Sequence, residues 1–150
     1  MNIRYTAVIA AISEGFGFEY FELHDCAVDS KIFCGFIRKL HQINYGKQIT
    51  IVMDNLAAHK TQEAVLLMKD LEIEWIWVVP YSPEYNAIEL PFSQVKKAFK
   101  EEKLRSMVKG NEFDQYKTIS RIFEGQKVKY IDSCVKHAIK ALDERILSSQ

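Results

Sequence analysis

The sequence predicts an α/β protein in which helices flank a mixed β-sheet and two further helices follow at the C-terminus. Strand-like and helix-like segments alternate along the first two thirds of the 150 residues. Two apolar runs, at residues 49–53 and 73–79, have the length and composition of buried strands. The remaining third shows only helical periodicity. The resulting order β-β-α-β-α-β-α places helices on the faces of a sheet.

Composition restricts the class of protein. With 48% apolar and 27% charged residues, the chain has the make-up of a globular domain. Lysine plus arginine and aspartate plus glutamate number 20 each, so a nucleic-acid partner must be met by a local basic patch. The three cysteines form no C-x-x-C pair, which favours free, buried thiols in a reducing cytoplasm over a disulfide framework or a zinc site. No apolar run approaches the roughly 18–20 residues that span a membrane, so no membrane partner is expected.

The first elements are a hairpin and a helix. Residues 4–13 are rich in β-formers and residues 18–24 partly alternate, so the turn between them predicts an antiparallel pair. Asp29 is a typical helix start, and residues 44–46 are a typical stop. Between them, apolar residues recur on one helical face. These residues are Ile32, Phe33, Phe36, Ile37 and Leu40.

The middle of the chain alternates strands and helices. After the strand at residues 49–53, a helix is predicted at residues 61–71 and a second apolar strand at residues 73–79. Residues 80–86 contain two prolines and form a loop. A third helix is predicted from Asn86 or Ala87 to about residue 103.

Two helices are predicted at the C-terminal end, at residues 113–124 and from Val128 onward. A break containing Gly110 precedes them. The apolar stripe of the last helix either packs against the rest of the chain or forms a subunit interface. We favour packing.

Two carboxylates mark a candidate site. Asp54 follows the first apolar strand, and Glu89 lies in the first turn of the third helix, after the second strand. If the two strands are parallel neighbours, both carboxylates lie at one edge of the sheet, where ligands bind in open α/β folds. Two oxygen ligands there suit Mg²⁺ or Mn²⁺. The alternative roles are structural: a turn and helix cap for Asp54, and a favourable helix-dipole interaction for Glu89.

Basic residues follow the same helix. Lys96 and Lys100 fall on the side of Glu89, with Lys97 nearby, and such a stripe can hold a DNA backbone without reading its sequence. An ordinary solvated face is the alternative.

The residues after Asp54 and the loop before Glu89 have supporting roles. Asn55, His59 and Lys60 are expected to contact DNA or to support the metal ligands, although His59 is equally suited to a structural role. Three residues of the loop are expected to fix the segment that presents Glu89, namely Tyr81, Ser82 and Asn86. Asn86 is also expected to cap the third helix.

Two motifs resemble those of a known family. Residues 79–89, V-P-Y-S-P-E-Y-N-A-I-E, resemble the P-P-Y-S-P-x-x-N-P-I-E signature of mariner-type transposases, including their bacterial insertion-sequence branch. Residues 54–60, D-N-L-A-A-H-K, resemble the family's second-aspartate block. The 34 residues between Asp54 and Glu89 match one of the spacings typical of the superfamily. Val79 and Ala87 replace prolines of the signature, and neither change removes a ligand.

The resemblance implies an RNase H-like catalytic domain at residues 1–105, with residues 106–150 as a helical extension. It implies a D-D-E triad that binds two Mg²⁺ or Mn²⁺ ions, with Asp54 as the second aspartate and Glu89 as the glutamate. The implied activity is metal-dependent cleavage and transfer of DNA strands. The implied partners are transposon-end DNA and further copies of the chain.

The first aspartate of the triad has no counterpart at the expected place. Asp25 and Asp29 lie after the hairpin, whereas the family's first aspartate lies on a strand before it. The catalytic domain is therefore expected to be N-terminally truncated and inactive alone, with an exposed strand edge near residues 4–13 that awaits an N-terminal fragment. The alternative is a non-catalytic remnant that binds DNA or self-associates. An unrelated RNase H-like nuclease is a third and more distant reading.

Overall fold

The computed structural model describes residues 5–80 and 82–149 of the chain. Its strands and α-helices follow the predicted order β-β-α-β-α-β-α, with two helices after it. Their bounds are β1 Ala7–Ser13, β2 Gly17–His24, α1 Ser30–Ile43, β3 Thr50–Met53, α2 Gln62–Asp70, β4 Glu74–Trp77, α3 Glu89–Lys109, α4 Gln115–Glu124 and α5 Val128–Ser148. Two short 3₁₀ helices, Ala57–Lys60 and Pro83–Tyr85, precede α2 and α3.

The strands form two separate sheets. Within the described residues, β1 pairs with β2, and β3 pairs with β4. The short turn between β1 and β2 makes the first pair an antiparallel hairpin. The second pair is parallel, with Val52 opposite Ile76. The α/β class is confirmed, and within the described residues the strands are divided between two small two-stranded sheets.

The predicted burial of the two apolar strands is wrong on one face. Ile51, Met53, Trp75 and Trp77 pack on the core, whereas Val52 and Ile76 are 42% and 48% exposed. The reason is that α1 and α2 supply core contacts to one face of the β3–β4 pair, and neighbouring residues of a strand point to opposite faces. Residues 49–53 and 73–79 therefore form strands with one open face.

The chain divides into two compact units. The first comprises Tyr20–Asn86 with the residues up to Ala11, and the second comprises Ile12–Glu19 with the residues from Ala87 onward. The core of the first unit is built on α1, with contributions from β1, β3 and α2. Its most deeply buried side chains are Cys34, Ile37 and Met68.

Side-chain caps define the starts of three helices. The Asp29 carboxylate accepts a hydrogen bond from the amide of Ile32 at 2.8 Å, as expected for the start of α1. Thr61 caps α2 through the amide of Ala64, at 3.2 Å. Asp114 caps α4 in the same way. Asp29 therefore acts as the N-cap of α1.

The start of α3 differs from the prediction. The helix begins at Glu89 with Ile88 as its N-cap, so Asn86 does not cap it. The cause is Pro91, which has no amide hydrogen to donate to the carbonyl of Ala87, as a helix starting two residues earlier would require. With Glu89 first, Pro91 occupies the third helical position, where no donor is needed. The amide of Phe92 then makes the first helical hydrogen bond, to the carbonyl of Ile88 at 2.9 Å.

The second unit packs α3, α4 and α5 together with the tip of the hairpin. Phe123 is the centre of its aromatic cluster, with ring centroids 4.7 Å from Phe18 and 6.2 Å from Phe92. The amide of Gly15 donates to the Asp132 carboxylate at 2.8 Å. Gly17 has φ of +73° and lies against Val128, where a Cβ atom would come within 3.3 Å of that side chain. On α5, Ile131 of the predicted apolar stripe is buried, whereas Val128, Ile139 and Ile146 of the same stripe are exposed, so packing within the unit covers only part of it.

Two predictions from composition can also be compared with the structure. All three cysteines are free, with Cys34 and Cys134 buried and Cys26 exposed. No helix in the described part of the chain combines the length and the apolar character needed to cross a membrane.

We expect Tyr20 to make the stability of the first unit depend on alkaline pH. Its hydroxyl donates to a Glu22 oxygen at 2.7 Å, and this bond, helped by burial, raises the pKa of Tyr20 to about 12. Because the phenol of the unfolded chain ionises near pH 10, the stabilisation is complete below pH 10 and is lost as the pH rises towards 12. Tyr20→Phe should cost about 1 kcal/mol at pH 8. The difference between wild type and variant in urea unfolding should shrink above pH 10, and a difference that grows there would contradict this assignment.

Candidate metal site and DNA-binding face

Asp54 lies directly after β3, at the end where this strand stops pairing with β4. Its side chain is 54% exposed. The contacts that the described residues make with the carboxylate are all to Oδ1, which lies 3.4 Å from the amide of Leu56 and 3.0 Å from Nδ1 of His59. The other oxygen, Oδ2, is therefore available to a ligand.

Asn55 joins the ends of the two parallel strands. Its side-chain amide donates to the main-chain carbonyl of Val78, immediately beyond β4. The amide of Val78 in turn donates to the carbonyl of Met53 at 2.9 Å. The chain is thus held on both sides of Asp54, which fixes the position of the carboxylate relative to β4.

We expect Asn55→Ala to destabilise the protein by about 1–3 kcal/mol, because the part-buried Val78 carbonyl loses its donor. Asn55→Asp should be worse, since a carboxylate would replace the donor and face a carbonyl oxygen. Urea unfolding of the two variants checks the order. Gln62→Ala, at an exposed helix position, serves as the control. Equal stability of the Asp variant and the wild type would contradict the assigned hydrogen bond.

His59 packs under Asp54. Its ring is only 13% exposed, and its Nδ1 also lies 3.3 Å from the main-chain oxygen of Asp54. One face of the imidazole packs on the ring of Phe33, with 4.3 Å between the centroids. Phe33 is a core residue of α1, as its position in the apolar stripe predicted. Its contact with His59 could not be predicted from the sequence.

Lys60 is exposed, and its ammonium group lies over the ring of Trp77, 5.2 Å from the centroid. A lysine in this position makes a cation–π interaction and still keeps its charge in solvent. Lys60 therefore provides a positive charge close to the ends of β3 and β4.

Glu89 is the first residue of α3 and is exposed. Its carboxylate makes no hydrogen bond or ion pair with another described residue. The partial positive charge of a helix N-terminus makes this a favourable position for an acidic side chain. Glu89 therefore offers a charged, accessible oxygen donor.

Three lysines extend along α3 from Glu89. Because the helix is continuous from Glu89 to Lys109, Lys96 and Lys100 lie about 20° either side of the Glu89 direction, roughly 10 and 16 Å along the axis. Lys97 is beside them. All three are exposed and form no ion pair within the described chain. The positive charges of the predicted basic stripe are therefore not paired with acidic side chains of the described chain.

The loop before α3 is organised by its backbone. The carbonyl of Ser82 accepts from the amide of Tyr85 at 3.2 Å, and the amide of Asn86 donates to the carbonyl of Pro83 at 3.0 Å. These bonds form the 3₁₀ turn that leads towards Glu89. Tyr81, the third residue assigned to this loop, lies outside the described residues.

The structure brings together the site residues of the first unit, namely Asp54, Asn55, His59 and Lys60. Glu89 and the three lysines belong to the second unit, and the approach of Glu89 to Asp54 stays a prediction. The donors fit a hard divalent cation in kind, since both are ionised, accessible carboxylates. In the described residues no group of three His, Cys, Asp or Glu side chains is close enough to hold a metal ion.

A family of endonucleases matches most of the chain. The family model described as DDE superfamily endonuclease matches residues 2–109, which contain β1 to α3 and both carboxylates. No curated protein sequence matches the chain.

Solved structures of one transposase share the fold. The catalytic domain of Mos1 mariner transposase has a TM-score of 0.63 at 13% identity, with 88% of this chain and 68% of that chain covered. The same domain with raltegravir and Mg gives 0.63 at 10% identity, covering 95% and 81%. A Mos1 transposase paired-end complex with left transposon end gives 0.64 at 15% identity, covering 88% of this chain. The match spans 40% of the Mos1 chain in that complex.

Proposed function

Because the chain belongs to the DDE superfamily of endonucleases, we propose that it is the catalytic part of a cut-and-paste DNA transposase. The observation that carries this proposal is Asp54, an exposed carboxylate with one uncommitted oxygen at the end of β3, inside the residues that match the family. In the same matched region, Glu89 offers a second carboxylate.

We propose that Asp54 and Glu89 hold Mg²⁺ or Mn²⁺, in a two-metal site that is complete only when a third carboxylate joins them. Asp54 and Glu89 would hold the cations, which would supply charge stabilisation for the attacking and leaving oxygens of phosphodiester cleavage. The role of this chain is to present two charged oxygens in fixed positions, Asp54 by the bonds around β3 and β4 and Glu89 by the start of α3. Support also comes from Mos1, whose related catalytic domain is known with Mg.

The third carboxylate is proposed to come from another strand. Among the described residues, β3 pairs with β4 only, so no described strand covers the other edge of β3. A strand added there would place its carboxyl end beside Asp54 if it ran parallel to β3. We propose that an upstream transposase segment provides this strand and the first aspartate.

The cleavage experiment tests this proposal directly. End-containing duplex DNA is incubated with the 150-residue chain and Mg²⁺ or Mn²⁺, first alone and then with the upstream fragment. Metal-dependent cleavage is expected only in the second mixture. Cleavage by the chain alone that Asp54→Ala abolishes would mean that another residue of this chain, such as Asp25 or Asp29, supplies the third carboxylate. Absence of cleavage in both mixtures would favour the second candidate, a non-catalytic remnant that retains the fold and DNA binding.

The basic stripe of α3 is proposed to hold the backbone of transposon-end DNA. We expect Lys96→Ala combined with Lys100→Ala to weaken binding of all duplexes alike and to lower the salt dependence of log K by about 2, roughly one per lysine. Fluorescence anisotropy at several salt concentrations measures both effects. Lys39→Ala with Lys69→Ala, also exposed and without ion pairs, is the matched control. An unchanged salt slope in the α3 variant would exclude this face.

The remaining features of the proposal concern organisation. The catalytic domain is proposed to span residues 1–105, with residues 106–150 as its helical extension, which agrees with the family match ending at residue 109. Asn55, Lys60 and Lys97 are proposed to lie near bound DNA, and His59 is proposed to support the metal ligand Asp54. Tyr81, Ser82 and Asn86 are proposed to fix the loop before Glu89. The free cysteines fit a cytoplasmic protein, and assembly on two transposon ends would require more than one copy.

A further inference from the structure

The ring of His59 is held at one nitrogen and on one face. Its Nδ1 lies 3.0 Å from the Asp54 carboxylate and 3.3 Å from the Asp54 carbonyl, and Phe33 covers one face. The amide of His59 donates to the carbonyl of Leu56 at 2.9 Å, within the 3₁₀ turn. A ring with these contacts and little exposed surface has a defined orientation.

The chemistry of its neighbours assigns the proton. Both atoms close to Nδ1 are oxygens that only accept hydrogen bonds, a carboxylate oxygen and a main-chain carbonyl oxygen. Nδ1 must therefore carry a hydrogen, whatever the charge of the ring. His59 is a donor to Asp54, and this assignment does not depend on a titration.

The hydrogen bond acts on one oxygen of the carboxylate. Asp54 is at a strand end with an exposed side chain, where rotation about its side-chain bonds would otherwise cost little. Donors at Oδ1 from His59 and, more weakly, from the amide of Leu56 restrain the carboxylate and leave Oδ2 without a contact among the described residues. A ligand oxygen held in this way loses less freedom when it binds a cation.

We propose that His59 is a positioning residue, which fixes Asp54 for metal binding through its Nδ1–H group. This inference rests on the proposed metal site and deepens it. It places His59 beneath the carboxylate, with Phe33 as the support of the ring. Contact of His59 with a DNA phosphate is disfavoured, because 87% of the side chain is covered and its Nδ1 is already engaged.

Two substitutions separate positioning from packing. In His59→Asn the side-chain amide nitrogen occupies the place of Nδ1 and keeps a donor, while the ring is lost. In His59→Phe the ring remains on Phe33, while the donor is lost. If positioning is the function, the Asn variant retains metal affinity and the Phe variant does not. If packing is the function, the order is reversed.

The matched control is the other histidine–carboxylate pair of the first unit. His24 lies on β2, with its Nε2 2.8 Å from a Glu22 oxygen. His24→Phe therefore removes the same kind of interaction at a place that has no proposed role in metal binding. It should leave Mn²⁺ affinity unchanged.

The first measurement is the protonation of His59 in the unchanged 150-residue chain, without metal or DNA. Long-range ¹H–¹⁵N correlation spectra distinguish a protonated Nδ1 from an unprotonated one. We expect Nδ1 to be protonated, and its signal to change in Asp54→Ala. A neutral ring with its hydrogen on Nε2 alone would overturn the proposal.

The second measurement is Mn²⁺ binding, by electron paramagnetic resonance, to the chain mixed with the upstream fragment. His59→Phe should weaken binding by about 10–100-fold, the usual effect of losing a group that orients a metal ligand. His59→Asn should stay much closer to the wild type. Retained affinity in the Phe variant, or equal loss in both variants with circular dichroism unchanged, would overturn the proposal.

Failure of the proposed function gives a different result. If the unchanged protein binds no Mn²⁺ and cleaves no DNA, the metal site itself is contradicted. In that case the spectra of the metal-free chain still decide whether His59 donates to Asp54. The two ideas are therefore tested by separate observations.

Discussion

Asp54→Asn and Glu89→Gln are each expected to lower metal-dependent DNA cleavage by about 10²–10³-fold, the range for loss of one electrostatic group in an active site. Both changes keep the size of the side chain and remove its negative charge. Asp54 is exposed at a strand end and Glu89 at a helix start, so neither change should unfold the protein. Cleavage of end-containing DNA by the chain mixed with the upstream fragment measures the effect.

The controls for these substitutions are carboxylates of similar exposure elsewhere. Asp70→Asn at the end of α2 and Glu112→Gln between α3 and α4 alter net charge by the same amount. Their cleavage rates should match the wild type. If Glu89→Gln retained full activity while Asp54→Asn lost it, the assignment of Glu89 would be wrong and the spacing to Asp54 would have no catalytic meaning. Unchanged circular dichroism spectra would exclude loss of fold as the cause.

The sequence predicts helix starts well when a cap lies within a few residues of the apolar stripe. Asp29 and the first turn of α1 are an example, since the cap bonds an amide three residues later and needs no distant partner. The start of α3 was missed because Asn86 had the right chemistry while Pro91, four residues into the expected helix, excluded it. The cap preference of Asn86 and the missing amide hydrogen of Pro91 are both local properties of the sequence, and the second decides where α3 begins.

Whether a strand is covered on one face or on both is harder to predict from the local sequence. The Ile/Val content of residues 49–53 suggested two covered faces, yet Val52 and Ile76 lie on an open one. Periodicity cannot separate a strand covered on both faces from a strand covered on one when both faces are apolar. The pairing of β3 with β4 was predicted, whereas the division into two sheets depends on which strands the chain can bring together.

In the candidate site too, residues that are close in the sequence were predicted together, whereas contacts between distant residues were not. Motif and spacing indicated Asp54, Asn55 and His59 as a group, and the structure places them together. The contact of His59 with Phe33 joins residues 26 positions apart and depends on how α1 packs. The roles of the three residues can therefore be distinguished only in the folded chain. Asn55 bonds to the carbonyl of Val78, and His59 bonds to Asp54.

Phe123 is the residue of the second unit whose truncation should cost the most stability. It is 2% exposed, and its ring makes edge contacts with Phe18 of the hairpin and Phe92 of α3. One side chain thus joins three elements of the unit. Each edge contact adds to the area that the ring buries.

Phe123→Ala should therefore lower the free energy of unfolding by about 3–5 kcal/mol, from lost burial and from the cavity left between Phe18 and Phe92. Phe123→Leu keeps most of the apolar volume and should cost clearly less. Urea unfolding followed by far-ultraviolet circular dichroism is the suitable measurement, because α3, α4 and α5 dominate the second unit while both tryptophans lie on β4. The control Val108→Ala, at a side chain 80% exposed on α3, should stay within about 0.5 kcal/mol of the wild type. A cost below about 1 kcal/mol for the alanine variant would mean that the three elements collapse around the cavity, and the aromatic cluster would then not hold the unit together.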